Sequence, residues 1–583
     1  MNKQEFDIMN ALFERPYVNQ RELAEQTGHS LGIVNKCMKK LSEEAYIDRE
    51  GKPTEKAMEL FQGKVPKSAI ILAAGFGMRM VPINTETTKG LLEVNGEPLI
   101  ERLIKQLHEV GVTNINVVTG FMKEQYEYLI DEYHVELVVN PVYASKNNLH
   151  SVKLVADELS DAYIVPCDIW SAKNPFSKYE PYSWYMVSNK MDKSSNVRVN
   201  RKQELVAVSG ENLGNTMIGI AYLTNEDALT VKDNIKKLCQ DTRYDHDFWE
   251  TALYKGDKML VTAKEVEETD VVEINTYEQL RELDSKSNQL KTDAISIIAK
   301  ALNVEESEIV DIQVLKKGMT NRSFLCRCRD KKYIMRIPGE GTEQLINRKE
   351  EAAVYQQIMN DKICDNIVYL NPENGFKLTE YLEGARTCNP LDLSDLKNCM
   401  AVLRRFHEKE FVVDHEFNIF KQIEFYESLW NGKPSVFKDY AKTKERIFSL
   451  KAYIDQYVDK KVLTHIDAVP DNFLIVGDEI RLIDWEYAGM QDPHVDVAMF
   501  CIYAMYNREQ VEQLIDCYFT EGCSKEIRIK IYCYIAACGL LWSNWCEYKR
   551  NLGVEFGEYS LRQYRYAKDY YKLVQEKLEE MES

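Results

Sequence analysis

The sequence predicts a multidomain chain of mixed α/β and α+β class. Three observations predict it. The chain has 583 residues, enough for roughly three or four domains. A buried-strand run opens a glycine loop at Leu72-Ala73-Ala74-Gly75-Phe76-Gly77, and strand-like runs then alternate with helical patterns. Further on, three strand-like runs stand together ahead of a long, helical, aromatic-rich tail.

The bulk numbers exclude some functions. A hydrophobic content of 45% is ordinary for a globular chain. The net charge of −19 disfavours a general nucleic-acid or anionic-membrane binder, because both surfaces repel it. Fourteen cysteines show no paired CxxC spacing. Cys501, Cys533 and Cys538 lie in apolar helical stretches and read as core residues in a reducing compartment. Met1–Asp7 has no apolar signal region, and the run around Ile531–Trp542 is too short to span a bilayer. A soluble cytoplasmic protein without membrane insertion is expected.

Residues 1–65 read as a small separate module. Phe6–Glu14 is amphipathic, Arg21–Thr27 is a second helix, and Ser30 caps a third that runs to about Glu44. Tyr46–Lys52 reads as a short hairpin with Gly51 at its tip. The pattern resembles a winged helix-turn-helix domain, with Lys36, Lys39 and Lys40 on the recognition helix. Acids slightly outnumber bases in this module, so DNA contact is not favoured.

Pro66 ends the module, and the second domain is expected over 66–284. Its strands are expected at Ser68–Leu72, Ile115–Val118, Leu137–Val139, Ala162–Pro166 and Met217–Leu223, in a mostly parallel sheet. Glycine lets the backbone after the first strand approach phosphate oxygens, and Arg79 and Lys89 add positive charge. With Leu92-Glu-Val-Asn-Gly96-Glu-Pro98-Leu99, this set closely resembles the nucleoside-diphosphate-sugar pyrophosphorylases, which implies a Rossmann-like nucleotidyltransferase sheet. Thr88 stands where that family usually has proline. The resemblance implies that Asp168 and Asn275 are Mg²⁺ ligands. It is nearest to bacterial phosphocholine cytidylyltransferases, through Ser145-Lys-Asn147-Asn148-Leu-His-Ser151, with Asn148 on the base side. Trp170, Trp184 and Trp249 are candidates to hold a trimethylammonium group by cation–π contact, with Trp170 placed at the substrate.

Ser285–Thr292 is polar and reads as a linker to a domain over 293–583. A helix over Ala294–Glu306 precedes strands at Ile309–Lys316, Ser323–Cys328 and Tyr333–Ile337, in an antiparallel sheet. The turn Lys316-Lys-Gly318-Met-Thr320-Asn321 is of a kind that covers ATP phosphates with backbone N–H groups. Downstream, His465-x-Asp467-x4-Asn472 is followed by a strand ending at Asp484. Kinase-like enzymes use such an aspartate as base, the asparagine on a metal and the second aspartate as main Mg²⁺ ligand. The resemblance is to the aminoglycoside phosphotransferase and choline kinase superfamily, with a protein-kinase-like fold. It implies Arg336 as the nucleotide-clamping cation and Glu351, or its neighbour Glu350, as the acidic partner. The spacing to Tyr355 favours Glu351. Asp496 is expected to brace the loop. Trp542-Ser-Asn-Trp545 places two indoles on one helix face, and Tyr487 follows Asp484-Trp-Glu; both match positions that enclose a quaternary ammonium in choline kinases. Tyr566 and Tyr570 are further candidates.

The two sites together imply a bifunctional enzyme that phosphorylates choline with ATP and transfers CMP from CTP to phosphocholine. Mg²⁺ is the expected cofactor, and choline, phosphocholine, ATP and CTP are the expected partners; homo-oligomer formation is left open. The alternatives are a sugar or ethanolamine kinase fused to the matching nucleotidyltransferase, and a ligand-sensing transcriptional regulator.

Overall fold

The computed structural model describes residues 1–583 apart from 16–18, 209–211, 316–320, 340–344, 552–553, 555 and 583. The expected phosphate turn, including Gly318 and Thr320, lies outside the described residues. The chain divides into two compact units, Met1–Lys291 and Thr292–Ser583. Among the described residues no helix is long and apolar enough to cross a membrane.

The first unit opens with α1 (Lys3–Glu14), α2 (Gln20–Thr27) and α3 (Leu31–Glu43). Asn2 and Glu5 form a capping box on α1, Asn19 caps α2 and Ser30 caps α3. Each cap takes up amide hydrogens that a first helical turn leaves unpaired. Ile8, Leu12, Leu23, Val34, Met38 and Leu41 recur at helical spacing and close a small core. The hairpin is reduced to an Ile47–Pro53 bridge, and α4 (Glu55–Gln62) is an addition to the expected elements. The module is packed onto the following sheet rather than hung from it. Tyr179 enters its core with ring centroids 5.2 Å from Phe13 and 5.3 Å from Phe61.

The sheet of this unit draws on β1 (Ser68–Ala73), β2 (Ile115–Thr119), β3 (Glu136–Val139) and β4 (Ala162–Pro166). A short β5 (Ile169–Ser171) lies outside it. Then come β6 (Trp184–Asp192), β7 (Val197–Val199), β8 (Glu204–Ala207), β9 (Gly214–Leu223) and β10 (Lys258–Val266), with β11 (Val271–Glu273) paired to β5. Their order is β3-β2-β1-β4-β9-β6-β10-β8-β7. The sheet is mixed where a mostly parallel one was expected. β1 pairs parallel with β2 and β4, whereas β9 runs antiparallel to β4 and β6. The brief connection between β7 and β8 leaves no room for the crossover a parallel pair needs, and that pair is antiparallel as well. The parallel part sets the site: Leu72 of β1 lies beside Val118 and Pro166, so the glycine loop and Asp168 leave the same edge.

The expected linker is largely fastened to this unit. Gln289 accepts from the Glu93 amide at 2.6 Å and donates to the Leu91 carbonyl at 3.0 Å, while the Tyr277 hydroxyl donates to the Leu290 carbonyl at 2.8 Å. Thr292 then caps the first helix of the second unit by accepting from the Ile295 amide.

In the second unit, β12 (Ile309–Val314), β13 (Asn321–Cys328), β14 (Lys331–Pro338), β15 (Ile367–Leu370) and β16 (Lys377–Glu380) form an antiparallel sheet in the order β12-β13-β14-β16-β15. Helix α5 (Arg348–Ile358) lies between β14 and β15 in sequence. Past Leu393 the unit is mainly helical. Two short antiparallel pairs interrupt it: Val462–Thr464 with Gly489–Gln491, and the hairpin Phe473–Val476 with Glu479–Leu482. Helix α6 (Lys525–Asn551) is buried on all sides from Ile529 to Lys549, as its apolar composition requires. At Gly539 its backbone meets α7 (Glu558–Glu582): a Cβ there would lie 2.7 Å from the Gln563 carbonyl oxygen.

Candidate active sites

In the first unit a cleft of about 620 Å³ opens at the carboxyl ends of β1 and β4. Leu72, Ala73, Ala74, Gly75 and Gly77 line it, as do Arg79, Lys89, Asn148, Asp168 and Asn275. Gly77 has φ of +59°, and a Cβ on it would come within 2.8 Å of Lys89 Cγ. Glycine is therefore required for the lysine to cross the loop. The Lys89 ammonium donates to Asp168 Oδ2 at 2.7 Å and to Asn275 Oδ1 at 2.8 Å. Arg79 Nη2 donates to the same Asn275 oxygen at 2.6 Å. Asn148 Oδ1 accepts from the Trp249 amide at 2.8 Å.

The three tryptophans proposed for this cleft do not line it. Trp170 lies on β5 with the Arg102 guanidinium 5.7 Å from its ring, so the expectation for Trp170 is corrected. Trp184 and Trp249 are fully buried core residues. The aromatic lining is instead Tyr126, Tyr143, Tyr185, Phe248 and Tyr254. Two carboxylates join it that the motif reading had not assigned. Burial pushes Glu250 up to about 7; Tyr185 donates to its Oε1 at 2.9 Å, and its Oε2 is buried without a hydrogen-bond partner. Burial, reinforced by Asp168, also raises Glu273. The signal for Glu273 was adjacency to Asn275 on the same strand end. Nothing local marks Glu250.

In the second unit a cleft of about 490 Å³ gathers Asn321, Arg336, Asp467, Asn472, Asp484, Tyr487, Trp542 and Trp545. Glu351 stands behind it. Arg336 Nη1 and Nη2 donate to the two Glu351 oxygens at 2.5 and 2.9 Å, a bidentate pair that identifies Glu351 rather than Glu350 as the partner. Burial raises the Glu351 carboxyl, but the two arginines and Lys377 outweigh it and leave it at about 2. Arg348 extends the network to Glu486 at 3.3 Å and to Asn321 at 3.2 Å. Neither Arg348 nor Glu486 was singled out by motif.

The catalytic-loop geometry is tightly braced. Asp496 accepts from the His465 amide at 2.9 Å, the Ile466 amide at 2.7 Å and His407 Nε2 at 2.9 Å. Ile466 and Asp484 adopt φ of +67° and +68°, strained values for side chains of their kind. Asn472 Nδ2 donates to Asp467 Oδ2 at 3.0 Å. Burial drives Asp467 well above the usual carboxylate range, and neighbouring Asp484 and Glu486 add to the rise. Burial also lifts Glu486 to about 7 and holds His465 down at about 4.

The aromatic wall lies in the same cleft. Tyr487 meets Trp542 edge-on at 5.7 Å, and Trp542 meets Trp545 edge-on at 5.5 Å. Tyr503 and Tyr559 complete it. Tyr566 and Tyr570 are buried between helices and do not line the cleft.

Kinases and nucleotidyltransferases of these kinds use a divalent metal. The donors fit one. In the first cleft two oxygens from Asp168 and Asn275 already converge on a single cation, the Lys89 ammonium. In the second, Asp467 and Asp484 are crowded carboxylates with an amide oxygen beside them, a hard oxygen set whose repulsion a cation relieves. Among the described residues no group of three or more His, Cys, Asp or Glu assembles as a ready-made metal site.

Three family descriptions match: winged helix-turn-helix DNA-binding over residues 1–48, MobA-like NTP transferase domain over 69–174, and choline/ethanolamine kinase over 312–562. Choline-phosphate cytidylyltransferase of Streptococcus pneumoniae is 30% identical over 230 residues, spanning 37% of this chain and 96% of that protein. The chain belongs to the choline-phosphate cytidylyltransferase family. Beyond its cytidylyltransferase unit it carries a choline kinase domain, so it is a fusion of two transferases. Protein LicA of Haemophilus influenzae is 29% identical over 277 residues, 44% of this chain and 99% of that one. A solved choline kinase LicA from Streptococcus pneumoniae is 28% identical, covers 48% of this chain and 98% of its own, and has a TM-score of 0.43.

Proposed function

We propose that the chain makes CDP-choline in two steps, phosphorylating choline with ATP in the kinase cleft and transferring CMP from CTP to phosphocholine in the cytidylyltransferase cleft. The observation that carries this reading is the wall of Tyr487, Trp542, Trp545 and Tyr559 in the same cleft as Asp467 and Asp484. A quaternary ammonium cannot donate a hydrogen bond, so ring faces and nearby carboxylates are what can hold it.

In the first step Asp467, oriented by Asn472, takes the proton of the choline hydroxyl as that oxygen attacks the γ-phosphorus, the bond to the bridging oxygen breaks and ADP leaves. Arg336, fixed by Glu351, meets the phosphates of ATP, with Asn321 alongside. In the second step a phosphocholine oxygen attacks the α-phosphorus of CTP and pyrophosphate leaves. Lys89 and Arg79 hold the negative charge that develops there. The glycine loop, Leu72 to Gly77, presents backbone N–H groups to the phosphates, and Asn148 lies on the base side. Glu250 and Glu273, with Tyr185 and Phe248, supply negative charge and ring faces for the trimethylammonium end. Asp484 and Asn472 in one cleft, and Asp168 and Asn275 in the other, would hold Mg²⁺, which would supply positive charge to the phosphates. The cytoplasm, where both nucleotides are found, is the setting this reading implies.

Purified protein given choline, ATP, CTP and Mg²⁺ tests it, with products identified by mass. Phosphocholine with ATP alone, and CDP-choline once CTP is added, is the expected result. Equal kcat/KM for ethanolamine and choline would overturn the choice of substrate.

A further inference from the structure

We propose that Tyr182 and Asp7 are positioning residues for the cytidylyl step, through which the winged-helix module holds the first cleft in its working shape. The inference rests on the cytidylyl reading of that cleft. The segment from Ala172 to Ser183, between β5 and β6, has no regular element, so its place is set by the bonds it makes to its neighbours. Several of those bonds come from the module. The Tyr182 hydroxyl donates to Asp7 Oδ1 at 2.7 Å. His29 Nε2 lies 3.0 Å from Asp7 Oδ2, so both carboxylate oxygens are engaged. Asn10 Nδ2 donates to the Tyr179 carbonyl at 3.3 Å, and the Glu180 amide donates to the Lys64 carbonyl at 2.8 Å. Lys3 reaches the Ala263 carbonyl of β10 at 3.3 Å, with its ammonium 5.1 Å from the Tyr182 ring.

The same segment reaches the cleft by two routes. Three residues beyond Tyr182, the Tyr185 hydroxyl donates to Glu250. The buried Glu180 carboxylate accepts from Trp184 Nε1 at 2.8 Å and from the Tyr163 hydroxyl at 2.9 Å. Tyr163 belongs to β4, the strand that delivers Asp168. A shift of α1 against this segment therefore moves both Glu250 and the end of β4. Exposed residues of α3, including Asn35, Lys36 and Lys39, take no part in this docking and remain at the surface.

The test uses full-length Tyr182→Phe and Asp7→Asn. Each change is nearly isosteric and removes or weakens one bond at the junction. The KM for phosphocholine should rise about fivefold, with the KM for CTP within about twofold of its original value. Choline phosphorylation by the same preparations should be unaltered. Backbone amides of 179–185 and 249–253 should exchange hydrogen faster. Unchanged exchange at 249–253, or an unchanged phosphocholine KM, overturns the proposal. If the unaltered protein makes no CDP-choline, the cytidylyl reading fails instead, and the exchange result still decides whether the module and the cleft are coupled.

Discussion

Asp467 sits among carboxylates, while Lys89 sits among oxygen acceptors, and the two contrasts lead to opposite losses of function. Asp467→Ala and Asp484→Asn should lower choline phosphorylation by at least about a hundredfold and leave CDP-choline synthesis from added phosphocholine intact. Lys89→Ala and Asp168→Ala should do the reverse. Separate assays of the two steps on folded variants check this. Glu250 gives a prediction about pH. Its ordinary value is 4.5 and in the fold it lies at about 7, because burial disfavours the charged form. Its contribution to stability is therefore full below pH 4.5 and is lost as pH rises through about 7. Glu250→Gln keeps the neutral form at every pH. By calorimetry the first unit of this variant should match the original protein at pH 4.5 and melt about 2–4 °C higher at pH 8.5. The motif residues were legible because phosphate chemistry demands fixed types at fixed spacings. Glu250 was not, because a carboxylate in Trp249-Glu250-Thr251 shows its burial only after β6 and the loop have folded around it. Trp170 misled for the converse reason: adjacency to Asp168 in sequence says nothing about which side of β5 a ring occupies.

The aromatic wall of the kinase cleft draws on two helices. Trp542 and Trp545 come from one face of α6, and Tyr559 comes from the first turn of α7, held close by the glycine contact at Gly539. The Trp pair was readable from its i, i+3 spacing. Tyr559 was not, because its approach depends on how the two helices cross. Tyr566, at the Gly539 contact itself, and Tyr570, one turn further along α7, face the packed core instead. The cage reading predicts that Trp542→Ala or Trp545→Ala raises the KM for choline about tenfold or more and barely alters that for ATP. Loss of both affinities together with a lower Tm would assign the indoles to packing alone. The sheets divided similarly between what pattern reveals and what it hides. Buried runs such as Ala162–Pro166 announced their strands, whereas β6 runs on into an exposed end and β10 alternates buried with partly buried residues, so neither reads as a continuous buried run.

For the chain as a whole, the charge of −19 opposes phosphate contact, and acidic neighbours offset part of the positive charge of α3. Lys40 pairs with Glu5 at 2.7 Å and Lys39 approaches Glu43 at 3.8 Å. DNA binding, the second use suggested by the winged-helix match, should therefore be weak, steeply salt-dependent and reduced further by Lys39→Glu. A gel-shift titration across ionic strength measures this, and tight sequence-specific binding at physiological salt would make regulation a principal function. The fastened linker has a consequence for proteolysis. Leu290 is bonded within the first unit, the Lys291 amide donates to the Asn288 carbonyl at 3.1 Å, and Thr292 caps a helix of the second unit, so Lys291 is followed at once by a fixed residue. Trypsin needs a stretch of extended chain to seat a lysine, and a single residue held on both sides does not offer one. Brief tryptic digestion should leave the Lys291–Thr292 bond intact while exposed loops are cut. Early appearance of two fragments meeting at that bond would mean that the fastening opens readily in solution.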